Sequence, residues 1–289
     1  MNRKRLSRIA LRKSLDIRRE AGVKPEGGIN VYDLADHLDI EVRFLNVPSM
    51  EGMYSRRPGP VIVISSERPA GRQRFTTAHE IGHHVFGHGS TIDQLKGKPF
   101  DRKEDADEFL VDAFAGFLLM PKIAIQHAFL CRDWSPENLT PTRAYVLACS
   151  FGVGYSTFLH HSSRVAQVVP VSLAGKLDKT QPKEIRSRLL GHAVPKHLMV
   201  VDEHWNGRPI DLQVGDLVLS LLHVEAESRH VRRSGSTMHG PIYEAISPGI
   251  DRMAAQNEDE WVSFVRVSRA GYAGRSKYRH LEASEENYA

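Results

Sequence analysis

Apolar residues recur with helical spacing from the start of the chain. Leu6, Ile9, Ala10, Leu11, Leu15 and Ile17 make a stripe between basic positions, which predicts a helix over residues 3–20. Gly22 and the cluster Pro25–Gly28 end it. Val31 to Leu38 reads as a short helix and Ile40 to Phe44 as a strand. Met53-Tyr54 and Val61 to Ile64 flank a turn at Pro58-Gly59-Pro60, the pattern of a β-hairpin. A polar stretch follows. Phe75 then opens a helix that runs to about Phe86 and stops at Gly87 and Gly89. Ser90 to Lys103 is a polar loop, and Glu104 to Met120 is the next helix, bounded by Pro121. Residues 123–165 read as helical, with a loop at Trp134–Pro141. From about Gln167 the pattern turns β-like, at Val168–Leu173, Leu198–Val201, Leu217–Val224 and Trp261–Val267, with one helix at Pro182–Leu190. The tail from Arg275 is expected to be mobile. This is an α+β chain in three parts: 1–121, a helical segment 122–166, and an α+β domain over 167–289.

Composition narrows the setting. The chain has 289 residues, 41% hydrophobic and 26% charged, which suits a soluble globular protein with two or three domains. The charge-free stretch Tyr145–Leu159 is too short and polar to span a bilayer, and no apolar run of signal-peptide type follows the basic N-terminus. Cys131 and Cys149 are too few for a disulfide framework and read as buried apolar residues. A cytoplasmic location and no membrane partner are expected. Residues 1–24 carry nine Lys/Arg against two acids, so the rest of a chain of net charge +4 is slightly acidic. A solvated helix face is the favoured reading of that run, and direct nucleic-acid contact the less favoured one.

The chemistry centres on His79-Glu80-Ile81-Gly82-His83. Residues four apart on a helix share a face, so both imidazoles can reach one zinc ion. Glu80 falls beside the metal and can take a proton from zinc-bound water. Composition alone produces this pentad in about one such chain in twenty, so context must decide. The preceding hairpin offers a strand for an extended peptide, and acidic residues follow on the next helix. Position 89, where a third histidine would fall in one known arrangement, is Gly89; His88 is a weaker candidate. Glu108 is the better third ligand, with Glu104, Asp105 and Asp107 competing for that role. Asp112, one turn after Glu108 and amid apolar residues, can hold Nδ1–H of a ligating histidine. Tyr54, Tyr145, Tyr155 and His84 are candidate oxyanion stabilisers that the sequence does not rank.

The run Phe75-Thr-Thr-Ala-His79-Glu80-Ile81-Gly82-His83-His84, followed by Glu108-x-x-x-Asp112-Ala-Phe-Ala-x-x-Leu-Leu-Met-Pro121, resembles the ImmA/IrrE family of zinc metallopeptidases. The resemblance implies a gluzincin-like fold, one Zn²⁺ per chain held by His79, His83 and Glu108, and Glu80 as general base. It also implies a protein substrate, a helix-turn-helix transcriptional repressor cut in a stress or mobile-element response. The family often has Asn where this chain has Asp112. Residues 139–164 resemble a helix-turn-helix joined at Gly152, and a plain helical pair is the favoured reading because the segment has little positive charge. Residues 167–289 carry no catalytic motif; a sensor or docking role is expected by analogy, with a structural or protein-interaction module as the equal alternative. The alternative for the whole chain is a zinc-containing sensor or a DNA- or protein-binding regulator without peptidase activity.

Overall fold

The computed structural model describes residues 2–94, 106–225, 229–255 and 261–281. They form two compact units. The first holds the chain up to Lys179 together with Ala273–Ser276, and the second holds Thr180–Tyr272 and the residues from Lys277 on. The helical segment expected at 122–166 thus lies in the same unit as the pentad, and the division falls downstream of residue 166.

In the first unit, helix α1 (Arg3–Glu20) starts at Asn2, whose side chain accepts from the Arg5 backbone N–H. Its inner face buries Ala10, Ser14, Ile17 and Arg18. Arg18 departs from the picture of a solvated basic face. Its Nη1 donates to the Leu118 carbonyl at 2.7 Å, and its Nη2 donates to the carbonyls of Lys24, at 3.1 Å, and Gly27. Burial lowers this guanidinium to a pKa of about 10, still charged at neutral pH. Helix α2 (Val31–His37) leads into β1 (Glu41–Leu45), and the hairpin follows as β2 (Met50–Ser55) and β3 (Val61–Ser65). Next come α3 (Ala70–Val85), β4 (Thr91–Gln94), α4 (Ala106–Leu119), α5 (Lys122–Leu130), α6 (Pro141–Phe151), α7 (Tyr155–His160) and α8 (Val171–Leu177).

The sheet runs in the order Gly274–Arg275, β1, β3, β2, β4, with β1 and β3 parallel and the other pairs antiparallel. Helix α3 packs on β2 and β3 on one side and on α4 on the other, and α4 packs on α1. Gly82 permits the α3–α4 approach, since a Cβ there would stand 3.0 Å from Val111 Cβ and 3.2 Å from Phe114 Cδ1.

Several expectations are corrected. Helix α3 begins at Ala70, not Phe75. The polar stretch before Phe75 is helical because buried Gln73 donates to the carbonyls of Ser66 and Arg68, at 3.2 and 2.8 Å, and ties the turn to the helix. The apolar run Val168–Leu173 is not a strand: Pro170 caps α8, which buries Ala174 and Leu177 at helical spacing. Cys131 is exposed at the end of α5, and only Cys149 is buried. Part of the tail has regular structure, since Gly274–Arg275 pairs with β1 and Ser276–Tyr278 forms a 3-10 turn. Glu104 and Asp105 lie outside the described residues.

The second unit holds α9 (Pro182–Leu190), β5 (Leu198–Val201), β6 (Ile210–Gln213), β7 (Leu217–Ser220), β8 (Val224–Glu225), β9 (Val231–Thr237), β10 (Gly240–Ala245), β11 (Gly249–Ala255) and β12 (Val262–Ser268). They make two four-stranded sheets, β5-β7-β10-β9 and β6-β12-β11-β8. Leu198–Val201 and Leu217–Leu219 are buried throughout and read from sequence as apolar runs. Strands β9 and β11 carry exposed Arg232, Arg233 and Arg252 and show no such run.

Candidate metal centre

Helix geometry places His79 and His83 one turn apart, both buried, at 2% and 1% exposure. Their Nε2 atoms stand 3.2 Å apart. Glu108, in the first turn of α4, meets them with one oxygen each: Oε2 is 3.5 Å from His79 Nε2, and Oε1 is 3.5 Å from His83 Nε2. Two nitrogens and a carboxylate therefore converge on one point and could hold a metal ion.

Supporting contacts set the direction of each ring. His79 Nδ1 lies 2.8 Å from Asp112 Oδ1. A carboxylate only accepts, so His79 donates from Nδ1 and directs Nε2 inward. The Asp112 side chain is 42% exposed, less buried than its apolar neighbours suggest. His83 Nδ1 lies 3.0 Å from His88 Nδ1, and His88 Nε2 lies 3.6 Å from Asp107 Oδ1. His88 and Asp107 thus stand behind His83, away from the point of convergence. Burial opposes a charge on His79, but the hydrogen bonds to Asp112 and Glu108 outweigh it and raise its pKa to about 10. Burial and the neighbouring His79 lower His83 to about 4.

Glu80 is fully buried between α3 and β2. The strand reaches it because residue 52 is glycine. A Cβ on Gly52 would lie 2.5 Å from Thr76 Cγ2 and 2.9 Å from Glu80 Oε1. Sequence reasoning missed Gly52; the available signal was a glycine inside a strand, which marks a close approach. Gly52→Ala is expected to cost about 1–3 kcal/mol of stability and to displace the Glu80 carboxylate. Thermal unfolding beside a metal titration checks this: the metal stays and the midpoint falls.

Of the four oxyanion candidates, Tyr54 and His84 form a pair, OH to Nδ1, at 2.9 Å. Tyr155 donates to the Leu177 carbonyl at 3.0 Å, and burial raises its pKa to about 12. Tyr145 is buried within α6. A second group of metal-ligating residue types, Asp202-Glu203-His204, is consecutive in a 3-10 turn that Asp202 caps through the His204 backbone N–H.

The Peptidase_M78 family model, described as the IrrE N-terminal-like domain, matches residues 35–163. Residues 35–163 belong to the ImmA/IrrE family. The IrrE-like domain contains every residue of the convergence, and it leaves out all of α1 and the whole second unit. A search of curated proteins finds no match. Among solved structures, the chain is similar to a Mycobacterium tuberculosis transcriptional regulator at 20% identity and a TM-score of 0.36, covering 57% of this chain and 49% of that one. The chain thus spans about half the length of that regulator. Among the described residues, no helix is long and apolar enough to cross a membrane.

Proposed function

We propose that the chain is a zinc-dependent endopeptidase whose IrrE-like domain cuts a helix-turn-helix transcriptional repressor in a stress or mobile-element response. One observation carries the metal. Ligand atoms at about 2.0–2.2 Å from a tetrahedral zinc stand about 3.3–3.6 Å from one another. Here the two histidine nitrogens stand 3.2 Å apart, and each has a different oxygen of the Glu108 carboxylate at 3.5 Å, Oε2 for His79 and Oε1 for His83. Zinc in that place would polarise a peptide carbonyl and acidify the attacking water. Glu80 takes the proton from that water and delivers it to the leaving amine. Asp112 holds His79 in the tautomer that a metal ligand needs. Strand β2 is flanked by β3 and β4, so an extended substrate would pair with the outer edge of β4.

A purely structural zinc would need a fourth protein ligand. His88 is the nearby candidate, and it faces Nδ1 of His83 instead. That favours a site with one open position. Direct nucleic-acid contact by α6 and α7 stays the less favoured reading. Helix α7 holds no Lys or Arg, and it buries Tyr155, Phe158 and Leu159. We place the activity in the cytoplasm, where a transcriptional repressor substrate belongs.

Metal analysis of the full chain from zinc-replete medium is expected to give one zinc per chain, and none after His79→Ala. Co-expression with a helix-turn-helix repressor encoded beside it is expected to yield a repressor fragment with the unaltered chain only. A metal-free wild-type chain would overturn the reading.

A further inference from the structure

A cavity of about 590 Å³ lies beside the metal centre, within the first unit. It is bounded by α1, α3, α4, α7 and the π-turn His161–Val165 that follows. His79 and Asp112 form part of its wall, so it begins where the metal ligands end. We propose that this cavity is the specificity subsite of the peptidase, and that it receives a bulky apolar side chain, aromatic by preference, next to the scissile bond. The proposal rests on the peptidase reading above.

Its chemistry points to that guest. Phe75, Phe109, Ala113 and Val165 supply the apolar wall. Helix α4 lines the space with Phe109 and Asp112 and, between and beyond them, with the small residues Ala113 and Gly116. Gly116 is held small by its neighbour, since a Cβ there would meet His161 Nδ1 at 2.5 Å. Most of the charged and imidazole groups of the lining have partners. Arg72 Nε donates to Glu51 Oε2 at 3.0 Å, and Asp112 accepts from His79. His161 donates Nε2–H to the Met120 carbonyl at 2.9 Å, and burial keeps it neutral at pH 7. A charged guest would have to compete for groups that have partners. An apolar guest gains by leaving water, and the space falls within the ordinary range for ligand cavities.

The test uses three hydroxamates on the zinc-loaded full chain, with binding read by calorimetry. Each has the same chelating head. Acetohydroxamate reports the metal alone, 3-phenylpropanohydroxamate adds an aromatic arm, and 6-aminohexanohydroxamate adds a cationic one. The phenyl compound is expected to bind roughly tenfold tighter than acetohydroxamate, or better. Ala113→Phe and Val165→Phe fill the cavity from two different elements. Each is expected to remove the phenyl advantage and leave acetohydroxamate binding unchanged. Thermal melts identify a variant that does not fold, and the wild-type ranking decides by itself if neither variant does. A phenyl advantage below threefold, with acetohydroxamate bound, overturns the subsite and leaves the metal site standing. Tighter binding of the amino compound also overturns it, in favour of a cationic side chain. If no hydroxamate binds, the peptidase reading itself fails.

Discussion

Glu80→Gln is expected to lower kcat for peptide-bond cleavage by about 10²–10⁴, with zinc content and KM close to those of the wild type. That loss corresponds to about 3–5 kcal/mol of transition-state stabilisation. The amide fits the same space against Gly52 and Thr76, so the substitution changes basicity and little else. Glu80 is fully buried in the helix that carries both histidines, which fixes its carboxylate relative to them. A split between kcat and zinc content separates a base from a ligand. Loss of zinc would make Glu80 part of the metal's support. A kcat within threefold of wild type would remove Glu80 from the chemistry. Gly52→Ala gives a useful contrast, because it should lower kcat through displacement of the same carboxylate and also lower the thermal midpoint.

The parts of this molecule that could be read from sequence are those that local spacing determines. His79 and His83 share a face because they are four residues apart on a helix, and Glu108 and Asp112 share one on the next helix for the same reason. The apolar strands Val61–Ile64 and Leu198–Val201 were legible as continuous runs. The rest depends on contacts distant in sequence. Nothing near Arg18 shows that its guanidinium reaches the Leu118 carbonyl, one hundred residues away. The cavity beside Asp112 exists because α7 and the π-turn bring His161 against Gly116, and no motif marks that meeting. The start of α3 was misplaced because Gln73 looks like a loop residue until its bonds to Ser66 and Arg68 are seen. Strands β9 and β11 carry exposed arginines in place of a continuous apolar run, so no sequence pattern marks them.

Zinc affinity is expected to rise about tenfold per pH unit from pH 7 toward pH 10, a hundredfold between pH 7 and pH 9. The sign follows from His79. Asp112 and Glu108 overcome its burial and raise its pKa to about 10, so the metal-free imidazole is protonated at neutral pH. Binding must expel that proton, and expulsion becomes easier as the pH approaches 10. His83, lowered to about 4, is already neutral in this window and adds no second proton to the slope. The metal-free fold shows the converse. A raised pKa contributes stability that is complete below about 6.5, the ordinary value for histidine, and is lost as pH rises through 10. The apo thermal midpoint should therefore fall over the range in which zinc binding strengthens. Asp112→Asn removes the charge that helps to hold the proton, and it should flatten both trends together. Competition with a chelator of known proton affinity, at several pH values, measures the slope directly. A flat wild-type profile would mean that His79 is neutral before the metal arrives, and that Asp112 orients the ring without charging it.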